Sequence, residues 1–534
     1  MPRVRGTGRR KLTDQPQTFE AVVTVAEPAR RRLIVIPPRG MRVRESDGLP
    51  TAGLLLAMSG RLRGGEIALS SLGAPAFSLG VRPTDETRLR VLGSIGDSGA
   101  KLIECYAGHE GALRAALGGL RLVPEVFYEP LSLELSLESN LEPSGPGAEV
   151  TVQVRSAADG APIPGVHVLG YTKFRMRRGA NAITDDNGTA VLSYSTTPSR
   201  LERLYAFPPR AHWNALRLSV PVGAAPLHLQ VSPIDLAQPH ALRHYFGEPP
   251  LETGAGVNVA VIDSGVGPHP DLVVAGGLNT VGGEDPAAFH DNGDRHGTHV
   301  AGILASRGSA PASFRGVAAG VGLYSYRVFP RGENASNFDI AAAIDRAGLD
   351  GCHLINLSLG RPASTVTPNE SAVRIALEDA RAAGLVAIAA AGNDFRREVA
   401  FPADDDLCVA VSAFGLRTLL PPGSASAAAA APPAGAHPDE FIGEFSNVGP
   451  QVDLTAPGVG VISTARDGGH SAMDGTSMAA PVVTGVAARL LAGKPDIVGM
   501  APGAARAKAI VDLVLGAAQT RGFPITFEGR GFPA

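Results

Sequence analysis

The C-terminal half of the sequence predicts a doubly wound α/β domain built on a mostly parallel sheet, and three observations lead there. Five short segments are largely apolar: VNVAVID (257–263), GLYSYRVF (322–329), HLINLSL (353–359), LVAIAAA (385–391) and LCVAVSAF (407–414). Helical periodicity fills the gaps in NFDIAAAIDRAGLD (337–350) and ESAVRIALEDARAAG (370–384). The strands also lack polar alternation, which suits a parallel sheet covered on both faces. In such a domain reactive groups collect beyond the carboxyl ends of the strands.

The 534 residues exceed what one core organises. Residues 1–18 read as a basic, solvated tail opening MPRVRGTGRRK, and residues 19–129 as a small α+β module. In that module RRLIVI (31–36) and KLIECYA (101–107) have strand character, HEGALRAALGGL (109–120) has helix character, and RLVPEVFYEP (121–130) is extended. Residues 130–233 predict an antiparallel β-sandwich, with strands such as LSLELSLE, AEVTVQVRS and GVHVLGYT between Gly, Asp and Pro turns. A linker (234–256) leads to the α/β domain (257–534). Within it, LPPGSASAAAAAPPAGAHPD (420–439) is poor in large apolar groups and is expected to be a mobile insertion.

A net charge of −3 and 19% charged residues give no reason to expect a nucleic-acid partner. No segment has the roughly 18 apolar residues of a membrane span, and Arg9 and Arg10 precede no apolar run of an export signal. Cys105, Cys352 and Cys408 are widely spaced and odd in number, so no disulfide framework is expected and a cytoplasmic, reducing home is the default.

Three segments carry candidate chemistry. VNVAVIDSG ends a buried strand in Asp263, where a carboxylate can be held rigid at the strand end. RHGTHVAGILA sets His296 at the mouth of a helix, while His299 reads as a packed, structural histidine. Their spacing is not the HExxH of a zinc site, so no metal is assigned to them. DGTSMAAPVVTGVAARLL puts Ser477 at a helix N-terminus, whose positive end favours a developing oxyanion. Singly, each has a bland reading: a strand-end Asp, a core His, an N-cap Ser. Together they supply what a serine nucleophile needs, which is a base and a carboxylate that orients the base.

VIDSGVGPHPDL, HGTHVAG and GTSMAAPVVTG resemble the three active-site blocks of the subtilisin-like serine proteases. That resemblance implies serine endopeptidase activity on polypeptides through Asp263, His296 and Ser477. It makes Asn393, which closes AIAAAGN, the side-chain oxyanion donor beside the Ser477 N–H. It also makes Ser358, Leu359, Gly360 and Gly392 substrate-binding residues. The specificity pocket is then expected between 358–360, 390–393 and the loop DFRREVAFPADDD (394–406). No cofactor is required by this chemistry. For calcium, Asp271 matches a ligating position of some relatives, but SRGSAPASF (306–314) has no Asp or Asn, so the ion lacks sequence support. The ending of residues 19–129 resembles the inhibitor-like propeptides of this family. DGAPIPGVHV with ITDDNGTAVL resembles the prealbumin-like or carboxypeptidase-regulatory-like sandwiches, which suggests a spacer or a docking module for a protein partner. Two other readings stay open: a non-catalytic binding scaffold, and a peptide ligase or macrocyclase on the same triad.

Overall fold

The computed structural model describes residues 29–43, 50–68, 71, 88–117, 119–131, 147–308, 313–367, 371–466 and 468–533. The basic tail (1–18) and, after its first residue Leu131, the expected strand LSLELSLE (131–138) lie outside the described residues. Among the described residues no helix is long and apolar enough to cross a membrane.

The first unit is a five-stranded antiparallel sheet in the order Ile67–Ala68, Arg88–Ser94, Lys101–Tyr106, Arg30–Ile36, Arg121–Pro124. The second half of the strand Arg30–Ile36, from Leu33 on, is apolar on both faces because both are covered. Leu33 and Val35 pack with Leu54, Leu55 and Met58 of the helix Pro50–Ser59 and with Leu113 of the helix Glu110–Ala116. Ile34 and Ile36 face the other way and join a core shared with Phe338, Ile340 and Ile344 of the α/β domain. The module is therefore seated on the helix Asn337–Leu349. Arg42 meets Asp345 there through two hydrogen bonds of 2.8 and 2.6 Å, and the Met41 N–H donates to Asp379 at 2.5 Å.

The second unit is two-layered. One sheet sets Ala148–Ser156 between Thr189–Tyr194 and Leu227–Val231. The other runs Ala215–Pro221, Arg200–Phe207, His167–Lys173, Arg178–Ile183. Val150, Val152, Val154, Val168, Leu204 and Leu229 fill the space between them. The expected antiparallel pattern has one exception, since Ala148–Ser156 and Leu227–Val231 run parallel. A parallel pair needs a long crossover, and the rest of the unit supplies it.

The third unit is a nine-stranded sheet. Its parallel body is Val274–Asn279, Gly322–Arg327, Asn258–Asp263, Leu354–Leu357, Val386–Ala390 and Cys408–Leu416, with Leu454–Pro457 also parallel to the last. The five apolar segments read from the sequence supply that body except for Val274–Asn279 and Leu454–Pro457, which sequence reasoning missed. The helix Thr476–Ala492 is buried over most of its length, which explains its near-total lack of charge.

Residues 420–439 depart from expectation. Instead of a mobile insertion they form a helix, Ala425–Ala428, and a strand, Ala430–Ala434, paired with Glu440–Gly443 at the sheet's antiparallel edge. The cause is tertiary. Leu420 packs in the core that holds Trp213, and Ala425 packs against Tyr205 and Phe207 of the sandwich. Neighbours thus provide the apolar surface this segment lacks.

Candidate active site

Each reacting side chain sits where a regular element starts or stops. Asp263 ends the strand Asn258–Asp263, and His296 opens the helix His296–Ala305. Its neighbour Arg295 turns the chain at φ 73°. Ser477 is the second residue of Thr476–Ala492, and that helix packs on the His296 helix. All three side chains are buried.

His296 Nδ1 lies 2.8 Å from Asp263 Oδ1 and 3.0 Å from Oδ2. A carboxylate only accepts, so Nδ1 carries the proton and Nε2 keeps a lone pair, the form a general base requires. Asp263 Oδ1 also accepts the Ser264 N–H at 2.7 Å, and Ser264 Oγ accepts the Gly297 N–H at 3.0 Å. These bonds tie the carboxylate's turn to the first turn of the histidine helix.

Around Ser477 the structure supplies an occupant. The strand Phe127–Pro130 leaves the N-terminal module and runs into the site. It pairs antiparallel with Ala335–Ser336 on one side and with Leu359–Gly360 on the other, Pro130 opposite Leu359 and Glu129 opposite Gly360. The next residue, Leu131, donates its N–H to Ser358 O at 3.1 Å. Its carbonyl oxygen then receives hydrogen bonds from Ser477 Oγ at 2.5 Å and from Asn393 Nδ2. The pairing is strand addition to an exposed edge, the usual way an extended peptide is held.

The sequence-derived residues divide accordingly. Ser358, Leu359, Gly360 and Asn393 touch the entering strand. A Cβ on Gly360 would stand 2.9 Å from Leu131 Cδ1, so its missing side chain leaves room for leucine. Gly392, expected to bind substrate, is held in the turn, its N–H bonded to Thr476 Oγ1 at 3.0 Å and its carbonyl to the Asn447 N–H at 2.9 Å. A φ of 110° explains why glycine stands there. The loop 394–406 is split. Asp405 pairs with Arg374 at 2.7 Å, while Arg396 and Arg397 line a cleft toward the sandwich.

Sequence reasoning missed Thr476. Its N–H and hydroxyl both donate to Asn393 Oδ1 at 2.9 Å, which leaves Nδ2 aimed at the Leu131 carbonyl. It missed Leu131 too, an ordinary apolar letter at the edge of an extended run. Tyr128 is a buried anchor of the same strand, packed against Phe401 with the Arg361 guanidinium over its ring. The signal for it was the aromatic pair Phe127 and Tyr128 inside the extended run RLVPEVFYEP.

His299 is fully buried, with Nε2 3.1 Å from Ser471 O, and burial drives its pKa down to about 3. It is a neutral packing group. Asp271 lies beside His269 and His470, ligand atoms of the three falling within 4.8 Å of one another. His269 Nδ1 accepts the Asp271 N–H at 3.1 Å and its Nε2 faces Gly469 O at 2.9 Å, so both ring nitrogens are engaged. Two imidazoles and one carboxylate do not match the six to eight oxygens calcium takes. This donor set does not fit that ion.

Comparison with known proteins agrees with the geometry. The peptidase S8, or subtilase, family profile matches residues 254–529, about half of the chain. Over 238 residues the chain is 35% identical to the thermostable alkaline protease of Halalkalibacterium halodurans, a match covering 44% of this chain and 56% of that protein. It is 35% identical over 236 residues to the M-protease of Shouchella clausii, covering 44% of this chain and 54% of the relative. The same identity and length hold for Subtilisin Savinase of Lederbergia lenta, covering 44% of this chain and 76% of the relative. The chain thus spans little more than half the length of the first two relatives. The matched family, the identity to these proteins and the three sequence blocks agree: the chain belongs to the subtilase family.

Proposed function

We propose that the protein is a serine endopeptidase acting by acyl transfer, and that its own N-terminal module is the first chain to enter the site. The observation that carries the reading is the Leu131 carbonyl, held between Ser477 Oγ at 2.5 Å and Asn393 Nδ2. Ser477 Oγ attacks a carbonyl carbon so held, and His296 Nε2 takes its proton. Asp263 keeps the imidazole in the tautomer that can do so and stabilises the imidazolium. The oxyanion forms where Asn393 already donates. His296 then returns the proton to the leaving amine, and water releases the acyl group. Hydroxyl, imidazole and carboxylate suffice, and the reading assigns no metal or cofactor.

The first cut then falls between Leu131 and Ser132. It separates the module from residues 132–534 and leaves the sandwich on the protease. Until the severed strand departs, it fills the site as an inhibitor. The proposed compartment is the cytoplasm, supported by three buried, unpaired thiols at Cys105, Cys352 and Cys408. A fluorophosphonate probe tests the nucleophile directly. Labelling of wild type with none of Ser477→Ala supports the reading, and equal labelling of both contradicts it.

A further inference from the structure

Beside the site is a cleft of about 550 Å³ with one wall from the sandwich and the other from the protease. It begins at Asp394 and Phe395, directly after the asparagine that holds the Leu131 carbonyl. A smaller hollow shares Arg203, Phe395 and Glu444 with it and extends to Asp474, three positions before Ser477. The cleft therefore reaches the residue next to the oxyanion donor, and the hollow reaches the turn that leads to the nucleophile.

Its chemistry is lopsided. Arg175, Arg177, Arg203, Arg396 and Arg397 face two carboxylates, Asp394 and Glu444. Glu444 is taken by Arg203 at 3.0 Å, and Asp394 lies 4.0 Å from Arg177. Among the described residues Arg175, Arg396 and Arg397 make no ion pair with a carboxylate, and Arg396 feels Glu444 only at longer range. Arg175 and Arg397 are exposed. Arg396 donates through Nη2 to the carbonyls of Pro432 and Ile442 at 3.2 and 3.1 Å, while its Nη1 is buried with no hydrogen-bond partner. Burial lowers its pKa to about 10, against the Glu444 carboxylate, which raises it, so it remains a cation at neutral pH.

The walls are fixed. Phe174 meets Phe395 edge-on at 5.0 Å, and the Arg203 guanidinium lies 3.8 Å over the Phe174 ring. Asn214 of the sandwich bonds Ala472 O at 3.1 Å, on the strand leading to Ser477. A preformed cationic cleft of this kind binds carboxylates without first having to order itself.

We propose that this cleft receives the polypeptide on the carboxyl side of the cut and selects acidic residues there. The inference rests on the protease reading above. This chain's own sequence supports it: after Leu131 it carries Glu134, Glu138 and Glu142, with no Lys or Arg before Arg155. Glu134 is the third residue past the cut, so an acidic side chain follows the scissile bond closely in sequence.

The test compares two fluorogenic peptides cleaved after leucine, one continuing Ser-Leu-Glu-Leu-Ser-Leu-Glu and the other with Gln for each Glu. Charge-assisted hydrogen bonds predict kcat/KM at least about tenfold higher for the acidic peptide. In Arg175→Ala/Arg397→Ala that ratio drops below about twofold, because a ratio cancels any general loss of activity. Equal rates with wild type, or a ratio unchanged in the double variant, overturns the inference. If neither peptide is cut, the protease reading has failed, and binding decides the cleft by itself. A full-length chain carrying Ser477→Ala with Glu134→Gln, Glu138→Gln and Glu142→Gln is titrated with fluorescein-labelled peptides of residues 132–142 in both forms. Tighter anisotropy binding of the acidic form supports the cleft, and equal binding overturns it.

Discussion

The hydroxyl of Ser477 donates a 2.5 Å hydrogen bond to the carbonyl oxygen of Leu131, a residue 346 positions earlier in the chain. That contact makes the N-terminal module a ligand of the C-terminal domain, and most of what can be measured follows from it.

The Asn393 amide is the side-chain donor to that carbonyl. Removing such a donor lowers turnover by about 10²–10³, a magnitude established on subtilisin and expected here. Steady-state kinetics of Asn393→Ala should show the loss in kcat with KM little changed. A loss confined to KM would mean that the amide binds the ground state only.

Thr476 positions the amide by donating twice to Asn393 Oδ1, at 2.9 Å in both cases. Thr476→Val leaves the shape but removes both the bond to Asn393 Oδ1 and the acceptor of the Gly392 N–H, at about 1–3 kcal/mol for each buried hydrogen bond. If the bond acts through Asn393, kcat falls, KM does not, and Thr476→Ser restores turnover. Failure of the serine to rescue would point to packing instead.

Tyr128 anchors the entering strand in a buried site against Phe401. Truncating a buried aromatic costs about 3–5 kcal/mol. With Tyr128→Ala, inhibition of residues 132–534 by the severed module should weaken by roughly 10²–10³. An inhibition constant that does not move would show the strand to be held elsewhere.

Asp339 lies under the module's edge. Burial, with the Glu125 carboxylate as the next cause, raises its pKa to about 8; Glu284 adds to this, and Arg32 and the Gly282 N–H oppose it. Losing the module removes Glu125, so the carboxyl then ionises at lower pH. Departure thus releases a proton and is favoured as pH rises toward about 8, above which the effect is complete. The module's dissociation constant should climb as pH rises toward about 8 and flatten in Asp339→Asn; the same slope in that variant would contradict the assignment.

The site was legible where chemistry constrains several neighbouring letters at once. Asp263, His296, Ser477 and Asn393 each close or open an element among small residues, because tight turns and close packing admit little else. Leu131 carries no such mark. What makes it special is its arrival at Ser477, a tertiary event. RLVPEVFYEP read as one extended run, yet it splits at Glu125 and Val126, where Asn337 captures the backbone, so Arg121–Pro124 and Phe127–Pro130 join different sheets. Residues 420–439 misled for the opposite reason, since the partners that order them lie on Trp213, Tyr205 and Phe207, all distant in sequence.

The central claim is that the carbonyl held at Ser477 belongs to the first bond the protein cuts. Intact-mass analysis of purified full-length chains tests it most directly. Wild type should resolve into residues 1–131 and 132–534, with a new N-terminus at Ser132, and Ser477→Ala should stay whole. A wild-type chain that remains intact, or a serine variant cut at the same bond, would contradict it.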